Sequence, residues 1–273
     1  MHLAALHIYP VKSLRGLPVR SAQIDHLGAV GDRRFLVVDP AGVFLTQRSV
    51  PRMALVEASL DDSALTLRSA GFGEVRVRRA PDPGARLLSV RVWSSEGLQA
   101  EDCGDEPASW LGGVLGTPCR LARIGPAFSR PVNAGRGRPG DLVAFADGYP
   151  FLVVSEASLA DLNRRIEGAG APPVPMNRFR PNLVLGGCEP YAEDAWPRFR
   201  IGTVVFRAAG SCTRCVITTT DQSTGVRGAE PLRTLARYRR NAAEPNLVDF
   251  GQNLVHEVKT GLLAVGDPVE VLA

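Results

Sequence analysis

The chain has 273 residues, 45% of them hydrophobic and 22% charged, with a formal net charge of +4 at pH 7. This composition is typical of a globular protein with a sizeable core and excludes a disordered or fibrous chain, and no apolar run reaches the roughly 18 residues of a membrane-spanning helix. The arginines are spread along the chain and aromatic residues make up only 6%, which argues against a nucleic-acid-binding face.

Short alternating segments dominate the first half of the chain. Gly, Pro and Asp-Asp breaks separate these segments, a texture typical of a β-meander or a small barrel. One hairpin is expected to turn at Pro40-Ala41-Gly42. The predicted strands are residues 3–9, 19–24, 35–39, 43–46, 55–60, 64–68 and 75–78.

In the second half, strands alternate with a few helices. Residues 125–140 form the least regular stretch and are predicted to be a loop. Helices are predicted to begin near Ala108, Ser155 and Pro231. The predicted strands here are residues 120–124, 150–154, 183–185, 204–207, 250–255 and 269–272.

Three polar stretches carry candidate binding groups. Lys12 and Ser13 lie in a short loop after the first strand that has two cations and a hydroxyl. Ser155 stands at a helix start, where free backbone N–H groups favour negative charge. Arg180 and Asn182 lie at a strand entry that supplies many donors and few acceptors, which suits a phosphate or a hydrogen-bonding heterocycle. Solvated turns and ordinary helix capping explain the same residues, so both interpretations stay open.

The thiol pair Cys212 and Cys215 is the most specific chemical signal in the sequence. A structural zinc site needs four ligands, and no second pair of cysteines or histidines is present. A thioredoxin-like redox pair lies at a helix start, whereas the β-branched run at residues 216–220 predicts a strand. Two interpretations remain: one thiolate on a soft metal whose other ligands come from a cofactor, or two buried small apolar side chains.

Several motifs, each weak alone, occur together in a characteristic order. They are Tyr9-Pro10-Val11-Lys12-Ser13, Asp102-Cys103-Gly104-Asp105, Pro150-Phe151-Leu152, Ser155-Glu156-Ala157-Ser158-Leu159, Phe179-Arg180-Pro181-Asn182, Cys212-Thr213-Arg214-Cys215 and Phe250-Gly251-Gln252-Asn253. By these motifs the chain resembles MOSC-domain proteins with an N-terminal MOSC β-barrel domain, the subgroup of the mitochondrial amidoxime-reducing component and bacterial YcbX-like proteins.

The resemblance implies a β-rich α+β fold with two lobes. An N-terminal β-barrel-like domain would span residues 1–120, and a MOSC β-barrel with peripheral helices would span residues 121–273. Residues 1–33 are expected to pack with the C-terminal lobe.

The resemblance also implies a molybdenum cofactor, Mo-molybdopterin, bound between the lobes. Cys215 would be the catalytic thiolate on the metal, and Cys212 a structural neighbour. Asn253 stands where the mitochondrial relatives carry a tyrosine. The cofactor-binding residues implied in this way are Lys12, Ser13, Arg33, Ser155, Arg180, Asn182, Thr213, Arg214 and Asn253.

The implied activity is molybdenum-dependent reduction of N-hydroxylated and N-oxygenated small molecules such as hydroxylamines and amidoximes. Two alternatives stay open: a carrier or transferase of persulfide sulfur on cysteine, and a non-enzymatic protein that binds or carries the molybdenum cofactor. The chain has no cysteine beyond Cys215 to ligate an iron–sulfur cluster. We therefore expect a separate electron-donor protein, which could be ferredoxin-like, cytochrome b5-like or a flavin reductase.

The sequence also suggests a cellular compartment. Its five cysteines are odd in number and scattered apart from one pair, which does not fit a secreted disulfide framework. From the way the sequence starts at the first strand, we expect neither a signal peptide nor the N-terminal anchor of the mitochondrial relatives. From these features we expect a cytoplasmic protein that contacts neither membrane nor nucleic acid.

Overall fold

A computed structural model of the chain describes residues 1–133 and 135–272. Over these residues it has eighteen β-strands and three α-helices, which confirms the predicted β-rich α+β class. The strands are β1 (His2–Ile8), β2 (Leu17–Val19), β3 (Ser21–Asp25), β4 (Gly28–Ala29), β5 (Phe35–Val38), β6 (Glu57–Leu60), β7 (Ala64–Ser69), β8 (Gly73–Arg78), β9 (Leu87–Val92), β10 (Ser95–Asp102), β11 (Arg120–Arg123), β12 (Phe151–Ser155), β13 (Leu183–Gly186), β14 (Arg198–Ile201), β15 (Val204–Arg214), β16 (Val248–His256), β17 (Gly261–Ala264) and β18 (Val269–Val271). The α-helices are α1 (Asp105–Leu115), α2 (Glu156–Gly168) and α3 (Leu232–Tyr238).

The largest sheet has eight strands in the order β18-β14-β15-β16-β12-β13-β1-β2. Its strands β1 and β2 come from the start of the chain, and β1 pairs antiparallel with β13, with His2 opposite Gly186. The two predicted domains, residues 1–120 and 121–273, therefore share this sheet, and their division stays a prediction. The sheet brings the loop after β1 beside the strands that carry the C-terminal motifs.

Apolar side chains on one face of the large sheet form the main core. Leu3 and Leu6 of β1 contact the same buried cluster as Phe151, Phe206 and Leu254. Alternate residues of a regular strand point to opposite faces, so Leu3 and Leu6, three apart, would lie on different sides. An irregularity in the pairing of β1 with β13 between Leu3 and Ala5 shifts the register and brings both side chains to the core. Burial of such side chains, at about 25 cal/mol per Å² of apolar surface, stabilises the joined strands.

A three-stranded sheet of order β17-β3-β4 adds buried side chains to the main core. The N-terminal half adds two more sheets around a second core: a four-stranded sheet of order β5-β11-β10-β9 and a three-stranded sheet of order β6-β7-β8. Helix α1 buries Leu111 and Val114 against this second core, which also contains Phe35 and Met53. Because Phe35 of β5 is part of this second core, the core fixes the position of the turn before β5, which contains Arg33.

The structure differs from the prediction at residues 43–46. Val43 and Phe44 form only isolated bridges, to Arg91 and Val38, and make no regular strand. The Asp39 carboxylate accepts hydrogen bonds from the backbone N–H groups of Ala41 and Val43, an arrangement in which a side chain competes with strand pairing. The chain does turn back on β5, with an antiparallel bridge between Phe44 and Val38, but the predicted strand over residues 43–46 does not form.

Candidate functional site

An open cavity lies where the loop after β1 meets the ends of β12 and β15. Nine of the ten residues predicted for the site line it, together with Arg178 from the predicted donor-rich strand entry, and with Arg48 and Asp147, on which sequence reasoning placed no role. The nine are Lys12, Ser13, Arg33, Arg180, Asn182, Thr213, Arg214, Cys215 and Asn253.

Ser155 is the predicted residue that the structure keeps away from this cavity. Its side chain is fully buried, and its Oγ accepts a hydrogen bond of 3.0 Å from the backbone N–H of Ser158. Strand β12 contributes Phe151 and Leu152 to the cavity, and Ser155 lies at its opposite end. Ser155 caps α2, as its sequence context also predicted, and α2 starts at the end of the strand away from the cavity, so a cofactor contact of Ser155 stays a prediction.

The aromatic ring of Tyr9 contacts two arginines that line the cavity. The guanidinium carbons of Arg33 and Arg180 lie 4.1 Å and 4.3 Å from its ring centroid. The Tyr9 hydroxyl donates to the carbonyl of Pro181, and burial raises the pKa of Tyr9 to about 12. The ring therefore stays neutral and holds two like charges close together through cation–π contacts. Sequence reasoning gave Tyr9 no role, although it starts the motif that contains Lys12.

The two arginines on Tyr9 differ in their partners. Arg33 donates to both carboxylate oxygens of Asp32 at 2.7 Å. Arg180 has no side-chain hydrogen bond to any residue in the described ranges, and burial lowers its pKa to about 10. A guanidinium remains charged at that pKa. Arg180 thus presents to the cavity a cation whose charge no carboxylate neutralises directly.

An ion pair between Lys12 and Asp147 connects the loop after β1 to the turn before β12. The Lys12 ammonium is buried and forms an ion pair with Asp147, whose side chain is 63% exposed. Burial lowers the pKa of Lys12 to about 8, against the opposing attraction of Asp147. The same Asp147 oxygen accepts a 2.9 Å hydrogen bond from the indole of Trp93. Asp147 precedes a glycine and looks like an ordinary turn residue in the sequence, so no local signal distinguished it.

Cys215 lies at the junction between a strand and a tight turn. Strand β15 ends at Arg214, and residues Val216–Thr219 form a 3-10 helix. The predicted strand at residues 216–220 is therefore wrong. The hydroxyl groups of Thr218 and Thr219 donate to the carbonyls three residues earlier, those of Cys215 and Val216. Such back-bonding suits β-branched threonines to a short turn.

The other thiol of the pair, that of Cys212, accepts a hydrogen bond from an arginine. Arg214 donates to the Cys212 sulfur at 2.7 Å through one guanidinium nitrogen and to the Phe179 carbonyl through the other. Its Nε is buried and has no partner in the described part of the chain. Burial raises the pKa of the Cys212 thiol, while Arg214 acts in the opposite direction.

The two asparagines of the site are engaged by backbone groups. Asn182 is buried; its amide donates to the His7 carbonyl and accepts from the Leu152 N–H, so it ties β1 to β12. Asn253 donates to the Ser211 carbonyl at 3.2 Å. Both hold strands in register at the edge of the cavity.

The arrangement suits an anionic ligand that carries its own metal ligands. Cationic side chains from both halves of the chain line the cavity beside the Cys215 thiol. In residues 1–133 and 135–272, no cluster of three or more His, Cys, Asp or Glu side chains could hold a metal ion. A metal at Cys215 would therefore need most of its ligands from a bound molecule.

Comparison with known proteins matches both halves of the chain. Residues 1–118 match the MOSC N-terminal beta barrel domain, and residues 141–270 match the MOSC domain. Mitochondrial amidoxime-reducing component 1 of Mus musculus is 39% identical over 99% of this chain and 82% of its own length. The same protein of Homo sapiens is 38% identical, with the same shares covered. Molybdenum cofactor sulfurase of Danio rerio is 34% identical over 93% of this chain but only 32% of its own length.

The comparison corrects the predicted compartment. The amidoxime-reducing relatives are mitochondrial by name, so the prediction of a cytoplasmic protein is wrong. The cysteine pattern that suggested it reports a reducing environment and does not distinguish one such compartment from another. No helix in the described ranges is long and apolar enough to cross a membrane.

Proposed function

Because this chain belongs to the MOSC family, we propose that it is a molybdenum-cofactor-dependent oxidoreductase that reduces N-hydroxylated compounds such as hydroxylamines and amidoximes. The similarity to amidoxime-reducing components supports the reaction class. The single observation that carries the proposal is the Cys215 thiol in a cavity with the uncompensated Arg180 guanidinium.

The donor set of the cavity fits the proposed cofactor. A pterin phosphate needs cationic donors, and Lys12 and Arg180 offer them from opposite halves of the chain. The buried Nε atoms of Arg178 and Arg214 have no partner among the described residues, and such groups are costly unless a ligand or water satisfies them. When bound, the cofactor supplies two-electron redox chemistry at molybdenum. Cys215 would hold the metal, because a thiolate is a soft ligand.

Reduction of a hydroxylamine to an amine breaks one N–O bond, consumes two electrons and two protons, and releases water. The electrons would come from a separate donor protein. Lys12 is suited to hold one of the protons: with a pKa of about 8 it is mostly protonated at neutral pH and yields its proton more readily than an exposed lysine. Asp147 orients its ammonium group.

Metal analysis tests this proposal. Protein from a host that synthesises the cofactor is expected to contain stoichiometric molybdenum, which Cys215→Ser loses. The matched control is Cys212→Ser, in the same cavity, which is expected to keep the metal. Full retention of molybdenum in Cys215→Ser would overturn the assignment. Reduction of benzamidoxime with a chemical electron donor tests the activity, and a protein that holds molybdenum without turnover would be a carrier.

A second candidate is a carrier of persulfide sulfur. Two thiols line one cavity, and the chain is similar to part of a molybdenum cofactor sulfurase. In this function the Cys215 thiolate would attack the outer sulfur of a persulfide on a partner protein. A new S–S bond forms on Cys215, the partner's S–S bond breaks and its thiolate leaves, so no oxidant is needed. Mass spectrometry that finds a persulfide on Cys215, in protein free of molybdenum, would favour this candidate over the reductase.

A further inference from the structure

The turn between β9 and β10 places an aromatic side chain beside the cavity. Trp93 and Ser94 connect Val92 to Ser95, which pair across the hairpin. Trp93 has a φ of 56°, in the left-handed region, and remains 43% exposed. Two-residue hairpin turns with this conformation favour Gly, Asn or Asp, so neither turn geometry nor burial explains a tryptophan here.

The Trp93 ring is fixed by three neighbours. Its indole N–H donates to Asp147 at 2.9 Å, the Phe44 ring packs edge-on at 5.0 Å, and the Arg48 guanidinium lies 4.5 Å from the ring centroid. Asp147 and Arg48 both line the cavity. An exposed aromatic ring held in this way loses little conformational entropy when a flat ligand stacks on it.

The other tryptophans provide a contrast. Trp196 packs against the main core and contacts Phe199 edge-on at 5.6 Å. Trp110 packs against the second core and donates to the Phe72 carbonyl. Both of these rings pack against a core, whereas Trp93 packs on Arg48 and Asp147, which line the cavity, and stays 43% exposed.

We propose that Trp93 is a specificity-determining residue that stacks on the aromatic group of an N-hydroxylated substrate at the cavity mouth. The inference rests on the proposed reductase function and deepens it: aryl amidoximes and aryl hydroxylamines bind better than alkyl ones. Arg48 closes one side of the stack, and Asp147 positions the ring.

Steady-state kinetics with benzamidoxime and acetamidoxime test the inference, because both carry the same reacting group. The readout is the ratio of the KM for acetamidoxime to the KM for benzamidoxime. Trp93→Ala is expected to lower this ratio about threefold to tenfold, the worth of one aromatic stack. Trp93→Phe keeps an aromatic ring and is expected to retain most of the wild-type ratio. Phe72→Ala, an exposed aromatic residue that does not line this cavity, is the control and should leave the ratio unchanged.

Binding measured by calorimetry separates failure of the inference from failure of the proposed function. Wild-type protein that binds benzamidoxime more tightly than acetamidoxime, loses this preference in Trp93→Ala and reduces neither compound would refute the reductase but support the stack. An unchanged preference in Trp93→Ala overturns the inference, as does a wild-type protein that binds neither compound. Trp93→Phe behaving like Trp93→Ala would also overturn it, since the indole N–H would then matter and the ring would not.

Discussion

Lys12 is a buried cation that lowers the stability of the folded protein. Its side chain is 6% exposed, and burial lowers its pKa from 10.5 to about 8. At about 1.36 kcal/mol per pKa unit, holding the charged form in the folded protein costs on the order of 3 kcal/mol at pH 7. Lys12→Met keeps a similar volume without the charge, and Asp147 left behind is mostly exposed to water. We therefore expect the variant, in its cofactor-free form, to be more stable than wild type by up to that amount.

The same reasoning fixes the pH dependence. Between pH 8 and pH 10.5 the unfolded chain keeps the Lys12 proton that the folded protein has released, so wild-type stability rises with pH over that window. Lys12→Met has no such contribution. The stability difference between the two proteins should therefore be largest at and below pH 7 and vanish near pH 10.5.

Urea unfolding of both proteins across this pH range measures the difference. Lys259→Met is a matched control, since Lys259 is the other lysine of the chain and pairs with the buried Asp141 at 2.9 Å. Its removal is expected to lower stability, because a buried carboxylate loses a partner. A Lys12→Met protein less stable than wild type at pH 7, or a difference that does not change with pH, would refute the reasoning.

Three further predictions concern the scaffold. Glu101→Gln should cost about 3 to 5 kcal/mol in urea unfolding, because it leaves the buried charge of Arg123, now paired at 2.6 Å, without its carboxylate. Burial lowers the pKa of His256 to about 4. Between pH 6.5 and pH 4 only the unfolded chain takes up the His256 proton, so the free energy of unfolding should fall by about 3 kcal/mol as the pH is lowered through that window. His256→Gln should remove this loss. Gly251→Ala should reduce the yield of folded protein, measured by circular dichroism after expression, because φ is 79° there and the new Cβ would lie 2.6 Å from the Val153 carbonyl oxygen.

Local sequence patterns predicted most of the strands because alternation decides which side chains face the core. In β8, Val75 and Val77 are buried while Arg76 between them is exposed, as the pattern requires. The same reasoning failed at residues 216–220, where β-branched composition favours a strand but threonine hydroxyls bond back to the chain and favour a turn. Strand β17 (Gly261–Ala264) was not predicted, since its four residues carry no clear alternation.

The site could be predicted only where motif residues themselves line it. Lys12, Arg180 and Cys215 belong to short motifs with evident chemistry. Tyr9 contributes by contacting Arg180, and Asp147 contributes by pairing with Lys12. Each of these contacts joins residues that are distant in the sequence. Their contribution depends on the fold, and composition or spacing gives no sign of it.

The position of β1 inside the large sheet has a consequence for biosynthesis. Its partner β13 begins at Leu183, so the first strand leaves the ribosome long before the strand on which it docks. Until then Leu3 and Leu6 have no sheet to cover them, and the loop with Lys12 has no cavity to face. Because domains fold as units during synthesis, a chain truncated before β13 would be unable to assemble both walls of the cavity. The complete cavity would then exist only in chains that have been synthesised past β13.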